Sequence, residues 1–279
     1  MGDMKKSNRR VTILSHAVLL IVLLFSLYPF ILMIMNSLKS SQEININPMG
    51  FPQELHLENY INVWIEGGYA KAFLNTTGIM VITIIAVLVL CGCCAYGLAK
   101  LKPKGANGVF TYFMFTMSIP VTLCLVPLFF VWMRLNLMNT HLGLVLIYVG
   151  TNIPFTVIIM RSFFIGIPDE ILESARIDGC DEFKALAYIA FPIAKPIFLT
   201  SALMTALSVW NEFFYANSFI QSDNLRTVAT RYLAFTGRYS TAWDKVSTAG
   251  VISLLPMVIL YLIFQRQFIE GLTGGSVKG

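Results

Sequence analysis

Long apolar runs separated by short charged stretches set the pattern of this chain. No Asp, Glu, Lys or Arg falls between Arg10 and Lys39, between Lys71 and Lys100, between Lys104 and Arg134, between Arg134 and Arg161, or between Lys245 and Arg266. Between Lys195 and Asp223 the only charge is Glu212. A helix crosses the hydrocarbon of a bilayer with about 20 mostly apolar residues. The runs therefore predict about six transmembrane helices, over 11–36, 73–98, 108–132, 141–163, 197–220 and 247–266.

Composition agrees. The chain is 56% hydrophobic and 13% charged, whereas charged residues make up about a quarter of a soluble domain. So few charges cannot cover a soluble surface, and the expected fold class is an all-α integral membrane protein with membrane lipid as its solvent. The net charge of +5 is dispersed between the apolar runs. It forms no basic stripe and gives no reason to expect nucleic acid.

Lysine and arginine bias orients the spans. Lys5, Lys6, Arg9 and Arg10, then Lys100, Lys102 and Lys104, then Arg176, Lys184 and Lys195 fall on one side by parity. That side is expected to be the cytoplasm, with both termini inside. The segment after the first run carries Glu43, Glu54, Glu58 and Glu66 against Lys39 and Lys71, which suits the outside. One loop dissents, because Arg226, Arg231, Arg238 and Lys245 fall outside by the same parity. The first run, Val11 to Met35, is too long for the core of a signal peptide and no small-x-small site follows it. It is read as an uncleaved span.

Few residues inside the runs offer chemistry. Four of the five cysteines lie in apolar surroundings, and Cys91, Cys93 and Cys94 have no histidine nearby. Structural packing is the expectation for them, with no metal site. His16, His56 and His141 lie at different depths, without a placed catalytic partner. Pro29, Pro120, Pro127, Pro154 and Pro256 fall in the runs. Each removes a backbone donor and bends its helix. Ser118, Thr122, Thr151 and Asn152 near these bends either line a polar path or hydrogen-bond between helices. Asn75 and Asn211 are further pathway candidates. Glu212, the one acid within a span, either anchors the helix end or lines the pathway.

The most informative stretch is 168–196, PDEILESARIDGCDEFKALAYIAFPIAKP, too polar to span a bilayer. Pro168, Asp169 and Glu170 suit the first turn of a helix, and Gly179 suits its end. Asp181 is placed to cap a second short helix, whose Phe183, Leu186, Ala187 and Ala190 recur at helical spacing. Pro192 and Pro196 are expected to mark its end. The exposed side is acidic, with Asp169, Glu170, Glu173, Asp178, Asp181 and Glu182. A solvated acidic face is the bland reading. Acids fit poorly against anionic headgroups, which favours a basic protein partner.

Here the chain resembles a family. Glu173-Ser174-Ala175 with Gly179, then Ile189, Phe191 and Pro192, is similar to the "EAA" loop of the permease subunits of binding-protein-dependent ABC importers. Ala175-Arg176-Ile177-Asp178-Gly179 resembles the "AA-x-I-D-G-A" core of the carbohydrate branch, with small Ser174 and Cys180 at positions usually held by Ala. Trp210-Asn211-Glu212-Phe213 is similar to the "WNEF" run of the fifth core span. Phe51-Pro52, Asn59-Tyr60, Phe73-Leu74-Asn75-Thr76, Ala95-Tyr96, Asn139-Thr140, Pro154-Phe155 and Ile167-Pro168 follow the family in order. The closing 265–279 resembles the tail of the maltose and multiple-sugar type smaller permease.

The resemblance implies a type I ABC importer permease fold. Its parts would be a cytoplasmic N-terminus (1–10), a first helix (11–36), an external segment (37–72), a five-helix core (73–268) with the EAA-type coupling loop (168–192), and a cytoplasmic tail (269–279). It implies a subunit for sugar import, of a di- or oligosaccharide. Glu173, Ser174, Ala175, Asp178, Gly179 and Pro192 would couple it to an ABC ATPase dimer. Other implied partners are a second homologous permease and an extracytoplasmic solute-binding protein. ATP and Mg would be used by the ATPases, with no cofactor on this chain. The glycines and Lys278 of the tail lack the spacing of a phosphate-binding loop. Another solute such as glycerol phosphate, or an ATP-independent secondary transporter, is the alternative. Secondary transporters favour ionisable relays inside several helices or inverted halves, and neither is seen.

Overall fold

The structure is a computed structural model and describes residues 2–237 and 241–273. Arg238 and the closing 274–279 with Lys278 lie outside the described residues, as do the side chains of Lys5, Lys6, Arg9 and Arg10. The described chain is helical, in the order α1 (Gly2–Ser37), α2 (Ser41–Ile46), α3 (Glu58–Glu66), α4 (Tyr69–Tyr96), α5 (Ala106–Thr116), α6 (Leu125–Arg134), α7 (His141–Ile165), α8 (Asp169–Ile177), α9 (Glu182–Lys184), α10 (Phe191–Trp210), α11 (Phe214–Phe219) and α12 (Trp243–Thr273). Wide π turns at Gly97–Leu101 and Ala185–Ala190 extend α4 and join α9 to α10.

Among the described residues, five stretches are long and apolar enough to cross a membrane: Leu14–Ser37, Tyr69–Leu101, His141–Ile165, Glu182–Trp210 and Trp243–Arg266. The run expected as a third continuous span, 108–132, is instead made in two pieces. α5 and α6, about 16 and 15 Å long, are separated by Met117–Pro120 and a 3-10 turn at Val121–Cys124. Pro120 has no N–H to give to the helix, and it drives Ile119 away from helical geometry.

The expected fifth span, 197–220, is also redrawn. The helix starts at Glu182, runs through Pro192 and Pro196, and stops at Trp210 with Asn211 as its C-cap. The two prolines therefore do not end the second short helix. Their rings would crowd the carbonyls one turn back in a regular α-helix. The π turn at Ala185–Ala190 widens the backbone just before them.

The chain divides into two compact units. In the first, Met1–Tyr69 with Tyr232–Leu255, polar contacts fasten the segment after α1 to the start of α12. Ser41 Oγ donates to Asp244 Oδ1 at 2.5 Å, and Thr248 Oγ1 donates to the Ser37 carbonyl at 3.2 Å. Buried Lys39 donates to Asn36 Oδ1 and the Asn47 carbonyl, both at 3.0 Å. In the second unit, α7 packs on α10 and α5. One apolar cluster gathers Val87, Tyr96, Met160, Phe164, Leu172 and Phe198, and another gathers Ile79, Leu144, Tyr148, Val209 and Phe219. Ile82, Ile85, Val89 and Leu90 of α4 stay exposed, as residues facing hydrocarbon do.

Candidate functional site

The polar segment after α7 folds as a helical hairpin. Pro168 precedes α8, and Asp169 and Glu170 sit in its first turn, where the helix dipole favours negative charge. Leu172 and Ala175, three residues apart, are buried, while Glu170, Glu173, Ser174 and Asp178 are exposed. The helix ends in a Schellman turn. The Cys180 amide donates to the Ala175 carbonyl at 3.0 Å and the Gly179 amide to the Arg176 carbonyl at 3.1 Å. Gly179 takes φ +84°, a left-handed value that disfavours a Cβ. Asp181 then caps α9 by accepting from the Lys184 amide at 2.8 Å.

Two clips hold this hairpin to the C-terminal end of α4 and the π turn that extends it. Lys100 Nζ donates to the Ile167 carbonyl and to Asp169 Oδ1, the latter at 2.6 Å. Glu182 accepts from Arg176 Nε at 2.8 Å and from the Tyr96 hydroxyl at 3.1 Å. The Lys100 hydrogen bond holds the Asp169 carboxyl below its ordinary pKa, and the Lys184 amide does the same for Asp181. The Glu182 hydrogen bond raises Arg176. Tyr96 and Lys100 were not singled out as site residues by sequence reasoning. Their partners are more than 60 positions away, and only the basic character of 100–104 hinted at Lys100.

The acids are thus divided. Asp169 and Glu182 turn inward to the clips. Among the described residues, Glu170, Glu173 and Asp178 make no ion pair within the chain. The apolar residues are divided differently from the expected face. Ala185 and Ala190, five apart, are buried, whereas Phe183 is 80% and Ile177 86% exposed. The π turn bonds i to i+5 where an α-helix bonds i to i+4, and it begins at Ala185, so the α-helical spacing of Phe183 and Ala187 does not carry through it to one buried face. Pro192 lies in the first turn of α10 and is exposed.

The pathway candidates are not gathered in one place. Asn75 Nδ2 donates to the carbonyls of Asn224 and Arg226 at 2.9 and 3.1 Å, fastening the loop after α11 to α4. Thr151 and Asn152 both donate to the Tyr148 carbonyl, and Asn211 to the Leu207 carbonyl. Thr151 also lines a cavity of about 510 Å³ at the break between α5 and α6, with Thr116, Trp132, Phe155 and Tyr215. Ser118 and Thr122 flank that break and are exposed. Glu212 accepts from the Tyr148 hydroxyl at 2.7 Å and from the amides of Tyr215 and Ala216 at 2.7 and 3.0 Å. It caps α11 and ties it to α7.

Residues 89–273 match the family described as binding-protein-dependent transport system inner membrane component. A probable ABC transporter permease protein of Bacillus subtilis, YurM, is 34% identical over 90% of this chain and 84% of its own length. The diacetylchitobiose uptake system permease protein NgcG of Streptomyces coelicolor is 31% identical over 98% of this chain and 91% of its own. The melibiose/raffinose/stachyose import permease protein MelC of Bacillus subtilis is 30% identical over 98% of both. Among solved structures, a bacterial ABC transporter involved in import of the acidic polysaccharide alginate superposes with a TM-score of 0.81. It covers 94% of this chain and 98% of that one at 24% identity, a likeness of fold.

Proposed function

Since the chain belongs to the family of binding-protein-dependent transport system inner membrane components, we propose that it is the multi-pass permease subunit of an ATP-driven importer of a di- or oligosaccharide. It is a transport subunit and not an enzyme. ATP and Mg are used in partner ATPases, and a second homologous permease completes the path. A solute-binding protein delivers the sugar to the face opposite the hairpin. The sugar is supported by relatives named for diacetylchitobiose and for melibiose, raffinose and stachyose.

The observation that carries the coupling role is the outer face of the hairpin. It presents Ile177 and Phe183 to water beside Glu170, Glu173 and Asp178, on a segment clipped to α4. Exposed apolar side chains ringed by free acids fit a cleft with an apolar floor and a basic rim. Glu173 is the acid assigned to that rim, where a guanidinium–carboxylate pair is strong and directional. Ser174 keeps the outer surface of the helix low, Ala175 lets its inner face pack closely, and the Schellman turn at Asp178 and Gly179 sets the angle between α8 and α9.

The test is co-purification with the ATPase encoded beside this chain, together with sugar-dependent ATP hydrolysis. Phe183→Ser leaves the hairpin's buried side untouched. Burying a phenylalanine contributes about 1.5–3 kcal/mol, so ATPase affinity is expected to fall about tenfold or more. Glu173→Ala is expected to reduce stimulated hydrolysis. Unchanged ATPase retention in both variants would remove the hairpin as the coupling element. If instead coupling holds but no oligosaccharide-loaded binding protein stimulates hydrolysis, only the sugar assignment fails.

A further inference from the structure

A second polar site lies beside the hairpin. A cavity of about 370 Å³ opens where α4, α5 and α7 end, lined by Leu98, Lys102, Gly105, Asn107, Arg161 and Ile165 among others. Its size falls within the range of small-molecule sites. Arg161 lies four residues before the end of α7, about 6 Å along the axis. It is therefore near the end of the apolar stretch that carries it.

Arg161 is the reason to expect a ligand. One face of its guanidinium stacks on the Phe110 ring, 4.1 Å from the centroid. Its Nε is buried and meets no acceptor among the described residues. Nor does any described carboxylate pair with it. A guanidinium always carries its charge and offers a planar fork of donors. The rest of the half-buried side chain reaches the cavity, and a buried N–H without an acceptor is costly, so an acceptor from outside the described residues would complete the site.

The surroundings define that acceptor as an anion. Lys102 lines the same cavity, and its one ion pair, to Asp169, is long at 3.8 Å. No side chain caps the N-terminus of α5, which forms part of the wall. A Cβ built on Gly105 would meet nothing within 4 Å, so the space is open. Leu98 and Ile165 add apolar lining suited to a glycerol backbone and the start of an acyl chain.

We propose that this cavity binds the phosphate of an anionic phospholipid from the leaflet on the hairpin's side, with Arg161 as the bidentate ligand and Lys102 as a second cation. Basic pockets between helices at the membrane face recognise lipid phosphates in this way. Inorganic phosphate shares the chemistry but not the apolar wall. The site adjoins Lys100, Lys102 and Asp169, so its occupancy also sets the charge around the clip that holds α8.

The test uses the assembled transporter, stripped of native lipid in detergent. It is titrated with dihexanoyl phosphatidylglycerol, with phosphatidylcholine of the same chain length, and with inorganic phosphate, reading the thermal unfolding midpoint. Phosphatidylglycerol is expected to raise the midpoint saturably and phosphatidylcholine to do little. Arg161→Gln is expected to raise the half-saturating concentration about tenfold, as loss of a charge-assisted pair does. Lys102→Gln, at a side chain 67% exposed, is expected to shift it less and provides the reading if the Arg161 variant does not fold. Equal responses to the two lipids, or equal responses of wild type and both variants, would overturn the site. A saturable response to inorganic phosphate matching that to phosphatidylglycerol, and lost in the variants, would overturn the lipid assignment.

Discussion

Gly179 offers the sharpest test of how the hairpin is built. Its φ of +84° lies in the left-handed region, and a Cβ added there meets nothing within 4 Å. Gly179→Ala therefore carries a backbone penalty and no steric one. Left-handed geometry costs an L-residue about 1–2 kcal/mol, which is roughly 5- to 30-fold in the equilibrium for forming the turn. Asparagine tolerates that geometry far better, so Gly179→Asn adds a larger side chain at a smaller cost. The assay is sugar uptake into proteoliposomes at matched chain levels. The Ala variant is expected to lose about 5- to 30-fold, and the Asn variant is expected to fall between it and wild type. If Asn is as damaging as Ala or worse, side-chain volume at a contact with a partner decides the position, and the argument from φ is wrong. Wild-type uptake in the Ala variant would show that the turn is over-determined by its neighbours.

Two further expectations follow from particular side chains. Glu212→Ala strips the Tyr148 hydroxyl and the amides of Tyr215 and Ala216 of their acceptor. At about 1–3 kcal/mol per buried unsatisfied group, it should lower the amount of folded chain in membranes, with Glu212→Gln partly restoring it; a normal level with lost uptake would instead place Glu212 in the pathway. Asp181 is held below its ordinary value of 3.8 by the Lys184 amide, so its contribution is complete above that value and lost as pH falls through the lowered one. Hydrogen-exchange protection of the Lys184 amide should therefore be flat from about pH 8 to 5, vanish in Asp181→Ala and persist in Asp181→Asn; a step within that range would contradict the assignment.

Much of the fold was legible because hydrocarbon demands long apolar runs, and charges can sit only between them. Pro120 announced a bend, but not that the helix would stop at Thr116 and resume at Leu125, because the residues around it are as apolar as those of an unbroken helix and hydropathy does not report how far a backbone departs from one. The passage of the helix through Pro192 and Pro196 was hidden for a related reason. A proline reads as a stop unless a π turn precedes it, and no residue type marks such a turn. In the hairpin, Gly179 and Asp181 were readable since each acts on its own neighbourhood. The clips of Lys100 to Asp169 and of Tyr96 to Glu182 join positions far apart in the chain, which a single sequence leaves unpaired. Glu212 was open between two roles. The structure gives it three donors, and that geometry favours the anchoring role.

The two π turns have a mechanical consequence. Each stores one residue beyond what α-helical hydrogen bonding uses, and one residue corresponds to about 100° of rotation and 1.5 Å of advance. If the surplus residue migrates along its helix, the part beyond it swivels while almost every backbone hydrogen bond survives. One such turn, Gly97–Leu101, includes Lys100, and the other, Ala185–Ala190, directly follows the short helix of Glu182. With such migration the hairpin would turn on two swivel joints, and under the proposed coupling role a push on its outer face would reach α4 and α10 as torque instead of as bending.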